Sequence, residues 1–185
     1  SSDLNMADEI NKKLFDYIKN KYPDFKAIEI SPKELIFEEN VKMNCFYCGK
    51  YNGNWKCPPN LPDIDFPRMM SEYKNGLFTW VECSFNENNY QEVRSESSII
   101  LHRMLLDLEK QLWNLDFSTA VSFIGGSCKL CKNGCGKERC NNPYMSRSPL
   151  EATGVNIVKS AAKYGINITF PPKDYIIRLG LLLWQ

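Results

Sequence analysis

Apolar positions first recur at helical spacing in residues 8 to 22, where Ile10, Leu14, Tyr17 and Ile18 share a face and Pro23 stops the run. Ala27 to Ile30 alternates like a strand, and Glu34 to Phe37 reads as a second short one. Residues 41 to 63 have no period and are rich in Asn, Gly, Lys and Pro, which predicts an ordered loop. A short helix is expected over Phe66 to Lys74, closed by Asn75-Gly76, followed by a strand over Leu77 to Cys83. Ser97 to Trp113 carries the clearest helical stripe, made of Ile100, Met104, Leu105, Leu108 and Leu112. Thr119 to Ile124 is β-branched and aromatic and reads as a strand running into Gly125-Gly126. In Ser148-Pro149-Leu150-Glu151, Ser is placed to cap a helix, Pro to occupy its first position and Glu to complete a capping box. That helix, or helix pair, is expected to reach Tyr164 and stop at Gly165. Ile166 to Phe170 and Tyr175 to Trp184 complete the strands, the last nearly apolar throughout.

Helices interleaved with strands, and a closing strand apolar on both faces, predict an α/β or α+β fold. The expected architecture is one layered sheet with flanking helices, forming a single domain over 1–185 with two cysteine-rich metal-binding loops. A net charge of +1 and an apolar content of 43% fit a globular protein and give no basis for general nucleic-acid binding. No apolar run approaches the roughly 18–20 residues of a membrane span. Without an apolar leader, the chain is read as cytoplasmic, where its cysteines stay reduced.

Those cysteines change the picture, because seven of the eight fall into two groups. The second group is Cys128-x2-Cys131-x3-Cys135-x4-Cys140 with Pro143 close behind, near the compact ferredoxin spacing. A 4Fe–4S cube presents four irons at separate corners, so one tight loop can offer each a thiolate. Gly125, Gly126, Gly134 and Gly136 let the backbone approach and point N–H groups at sulfur. Zinc is the alternative, but its four-thiolate sites draw on two knuckles roughly 12–20 residues apart. Lys129, Lys132, Lys137, Arg139 and Arg147 surround the group against Glu138 alone, a basic ring suited to an acidic redox partner or simply to solvent.

The first group, Cys45-x2-Cys48-x8-Cys57-Pro58-Pro59, supplies three thiolates. Cys83 is read as an ordinary buried thiol, with a fourth-ligand role as the alternative. With three ligands, a 4Fe–4S cluster keeps one open iron that acts as a Lewis acid. Tyr47, Tyr51 and Trp55 either wall that site or pack the loop, and packing is the preferred reading. His102, the only histidine, is placed at the surface or the edge of the core. Its isolation argues against mixed Cys/His zinc fingers and Ser–His–Asp hydrolases, and no phosphate loop or dinucleotide fingerprint is present.

The blocks CGKYNGNWKCPP and GGSCKLC…CGKERCNNP…SPLEATGVNIV resemble the Cys-rich predicted metal-binding protein family, domain of unknown function twenty-two eighty-four. The likeness extends over most of the chain. It implies metal binding through Cys45, Cys48, Cys57, Cys128, Cys131, Cys135 and Cys140, and it implies no reaction. Cys83 matches no motif cysteine.

The expected function is therefore that of an iron–sulfur protein with two 4Fe–4S clusters, serving intracellular electron transfer or redox chemistry. The alternatives are an enzyme that binds substrate or sulfide at the open iron of a three-cysteine cluster, and a zinc-stabilised binding module. The expected partner is an acidic redox protein or a small-molecule substrate, with neither nucleic acid nor membrane.

Overall fold

The computed structural model describes residues 2–185, with the backbone alone for residues 2–4. Ser1, part of the expected domain, lies outside the described residues. The helices are α1 (Ser2–Lys21), α2 (Glu39–Tyr47), α3 (Phe66–Ser71), α4 (Tyr90–Asn114) and α5 (Ile157–Ala162). The strands are β1 (Phe25–Ile30), β2 (Asn75–Ser84), β3 (Val121–Phe123) and β4 (Tyr175–Trp184). They form one antiparallel sheet in the order β1-β2-β4-β3.

β4 lies at the centre of this sheet because both its faces are apolar. Its pairing with β2 runs from Asn75↔Trp184 to Ser84↔Tyr175, so alternate residues turn to opposite sides. Leu182 and Trp184 join Leu77 and Leu101, Met104, Leu105, Leu108 and Leu112 of α4, with Leu14 and Ile18 of α1; Ile100, expected on this stripe, is exposed instead, and its neighbour Leu101 faces the core. Leu179, Leu181 and Leu183 join Phe78 and Phe123 under Met70 of α3, and under Leu150, Val155, Ala161, Ile166 and Ile168. Each such side chain contributes about 1.5–3 kcal/mol by leaving water. Helix α4 comes especially close to β4 at Gly180, where an added Cβ would lie 2.6 Å from Leu105 Cδ1 and 3.0 Å from the Phe123 carbonyl oxygen.

The mixed helix–sheet class holds, and several elements differ from expectation. Residues 39–47 are helical although none is buried. A short turn of 3-10 helix, Pro32–Glu34, replaces the strand expected at Glu34 to Phe37, leaving Phe37 in a single bridge to Val155. Ile166 to Phe170 pairs with no strand; Ile166 and Ile168 instead pack on the sheet. The capping box does not form: the helical turn there is Glu151–Thr153, preceded by Leu150 and broken by Gly154 at φ 96°. Among the described residues no helix is long and apolar enough to cross a membrane.

Candidate functional site

The first cysteine group hangs on a chain of tight turns whose hinges are the cysteines themselves. Cys45 sits in the last turn of α2, and Cys48 ends that helix with its N–H on the Cys45 carbonyl at 3.2 Å. Tyr51 N–H then donates to Cys48 O at 2.9 Å, Cys57 N–H to Asn54 O at 3.1 Å and Asn60 N–H to Cys57 O at 2.9 Å. Asn52, at φ 52°, makes the left-handed step that lets its N–H reach Pro58 O at 2.8 Å.

Cys45, Cys48 and Cys57 all line one cavity of about 580 Å³. Its walls come from α2, the start of α4, the start of the second cysteine loop, the turn at Glu151 and Arg178 of β4. Val41, Ala152, Val155, Ile157 and Phe170 give it an apolar lining. Burial, and after it the Glu151 charge, pushes the Cys57 thiol up to about 12 and raises Cys45 as well. Thiols packed this way give up their protons once a cation offsets the lost hydration.

The second loop begins where β3 ends. Cys128 lies near Cys135 and Cys140; burial raises its thiol, while the Leu130 and Arg147 N–H groups favour its thiolate. Asn142 N–H points at Cys140 Sγ at 3.4 Å, and Ser146 Oγ lies 3.5 Å from the same sulfur. Cys131 closes a turn by accepting from Gly134 N–H at 3.1 Å. The exit of the loop is anchored on α4. There His102 Nε2–H donates to Met145 O at 2.7 Å, and Arg147 pairs with buried Glu109 at 2.8 Å. His102 is thus a buried residue, 1% exposed, rather than a surface one.

The two loops touch through the backbone of the second. Asn54, buried between them, donates to the Cys128 carbonyl at 3.0 Å, and Trp55 Nε1–H donates to the Gly136 carbonyl at 2.7 Å. Trp55 is therefore a connector between loops. Tyr51 lines the cavity and packs on Phe46, whereas Tyr47 is 75% exposed. Cys83 faces Ile176 across the sheet and does not line the cavity. The basic ring divides: Lys132, Lys137 and Arg139 are exposed, Arg147 is paired with Glu109, and Lys129 turns into the cavity.

Three polar residues line this cavity that the sequence does not assign to it: by sequence Glu151 reads as a capping-box partner, Lys129 as part of the basic ring, and Arg178 is not singled out. Glu151 accepts a hydrogen bond from Gly126 N–H at 3.1 Å through Oε1, while its shielded Oε2 has no partner; burial raises its pKa. Lys129 is lowered to about 8, first by burial and then by Arg178 and Arg94. Arg178 had a visible signal, as the only charge in an otherwise apolar strand.

The donor set fits a thiolate-bound metal group: two sets of sulfurs, partly shielded, with N–H groups directed at some of them. Among the described residues no three His, Cys, Asp or Glu side chains converge tightly enough to hold a single metal ion. No protein of curated function and no solved structure matches the chain. A family model described as a predicted metal-binding protein, DUF2284, matches residues 28–184, and the chain belongs to that family.

Proposed function

We propose that this is an iron–sulfur protein with two adjacent centres that carries out redox chemistry on a small molecule. Cys128, Cys131, Cys135 and Cys140 would hold a fully ligated 4Fe–4S cluster. Cys45, Cys48 and Cys57 would hold a second one with a coordination position free toward the cavity. Such clusters supply single electrons, and an open iron adds Lewis acidity. The observation that carries this reading is the asymmetry between the groups: the three-cysteine set lines the 580 Å³ cavity, and the four-cysteine loop is hydrogen-bonded to its back through Asn54 and Trp55.

The protein's own residues divide the work accordingly. Asn54 and Trp55 keep the loops in contact, which favours electron exchange between them. The apolar lining excludes water from the substrate side, and Glu151 and Lys129 place ionisable groups at its wall. Exposed Lys132, Lys137 and Arg139 suit an acidic redox partner that delivers electrons to the four-cysteine centre. All eight cysteines are unpaired with one another, which suits a reducing compartment such as the cytoplasm.

Iron, sulfide and zinc analysis of anaerobically purified protein, with an EPR spectrum after dithionite reduction, tests this reading. The expected result is about eight irons and eight sulfides per chain with spin-coupled signals. Stoichiometric zinc with no reducible signal would replace it with the zinc-stabilised binding module.

A further inference from the structure

The cavity beside the three cysteines holds more positive charge than its carboxyl group offsets. Lys50, Arg94, Lys129 and Arg178 line it, and none forms an ion pair with a carboxylate of the described residues. Lys159, also on its wall, is by contrast paired with Glu38 at 2.8 Å.

Two of these cations are fixed in place and aimed at one spot. Arg178 donates from Nε to Ser97 Oγ at 3.2 Å and from Nη2 to the Arg94 carbonyl at 2.8 Å, which orients the guanidinium and leaves Nη1. Lys129 Nζ is tied to Ser127 O at 2.9 Å and lies 3.4 Å from Ser98 Oγ. A Cβ built on Gly126 would stand 3.1 Å from Arg178 Nη1 and 3.5 Å from Lys129 Nζ, so both cationic groups border the same small space. Gly126 keeps that space open, and its φ of 77° disfavours any side chain there. Like charges held this close repel, and the nearest carboxyl group, Glu151, accepts from Gly126 N–H instead of pairing with either. An oxyanion fits the space between them, because a guanidinium edge and an ammonium group together match two oxygens of a carboxylate or phosphate.

We propose that the cavity binds a small organic anion, its carboxylate or phosphate head held between Arg178 Nη1 and Lys129 Nζ over Gly126, and its apolar body against Val41, Val155 and Ile157. A volume of about 580 Å³ accommodates a head and body of this kind. This inference rests on the cavity being the substrate side of the three-cysteine centre, and it names the substrate class.

Calorimetric titration of the anaerobically purified protein with 3-phenylpropionate, phenyl phosphate and the neutral 3-phenylpropanol tests it, with iron content measured on every sample. At least one anion is expected to bind more tightly than the alcohol by about tenfold or more, the effect of one charge-assisted contact. The preferred anion identifies the head group. Lys129→Gln is expected to abolish that preference while the alcohol binds as before, and Gly126→Ala to weaken the anion by filling its space. Because Arg178 also holds the start of α4, Arg178→Lys, which keeps the charge and loses the fork, accompanies Arg178→Gln. Equal binding of alcohol and anions, or anion binding unchanged by both Lys129→Gln and Arg178→Gln, would overturn the inference. Full iron content without anion binding refutes the anion site alone. Anion binding with this variant pattern in a protein that holds no iron refutes only the iron–sulfur reading.

Discussion

His102 lies in the core face of α4 with its Nε2–H on the Met145 carbonyl, and burial draws its pKa down from 6.5 to about 4. The unfolded chain therefore binds a proton that the folded protein refuses between those values, and stability falls as pH drops from 6.5 toward 4. The full loss is about 3 kcal/mol, of which about 1 kcal/mol appears between pH 7 and 5.5. Urea unfolding of wild type and His102→Gln across that range should show the steeper decline in wild type; parallel curves would contradict the buried neutral imidazole. The histidine was conspicuous in the sequence as the only one, yet its burial was not, because its partner is a backbone carbonyl forty-three residues away. Glu151 was hidden for a related reason. Its spacing from Ser148 is that of a capping box, and only the approach of Gly126 N–H shows where the carboxyl group turns.

Among the elements, those with a strong apolar pattern were the legible ones. Strand β4 and helix α4 were both evident, because packing against each other and the sheet requires the periods they carry. Helix α2 carries no such period: none of its residues is buried, and it is fixed by what flanks it, including Glu38 N–H on the Gly154 carbonyl at 2.9 Å. Ile166 to Phe170 has a strand-like alternation, but packing on the core satisfies its isoleucines without a ladder. The α4–β4 contact itself makes a prediction at Gly180. An alanine there meets the Phe123 carbonyl as well as Leu105, and the carbonyl is backbone that cannot swing aside. Gly180→Ala should cost about 2 kcal/mol and lower Tm by about 4–8 °C in a thermal melt. An unchanged Tm would mean that the helix rides further from the strand.

For the whole molecule, the two cysteine loops are distant in sequence and adjacent in space, and that adjacency was not legible. The side chains that produce it, Asn54 and Trp55, stand within the first motif but find their partners only after the sheet has closed. If they serve to couple two centres, the double substitution Asn54→Ser, Trp55→Phe should retain both sets of iron while weakening the spin coupling in the reduced EPR spectrum. Coupling of wild-type strength would assign the contact to stability alone. The contact has a consequence for variation. Both acceptors are main-chain oxygens, at Cys128 and Gly136, so these two contacts grip the path of the second loop without depending on its side chains. Lys132, Lys137 and Arg139 are thereby free to diverge. Substituting those three positions would change the surface offered to the acidic partner proposed above, while the Asn54 and Trp55 contacts that space the two sulfur-bearing loops stay in place.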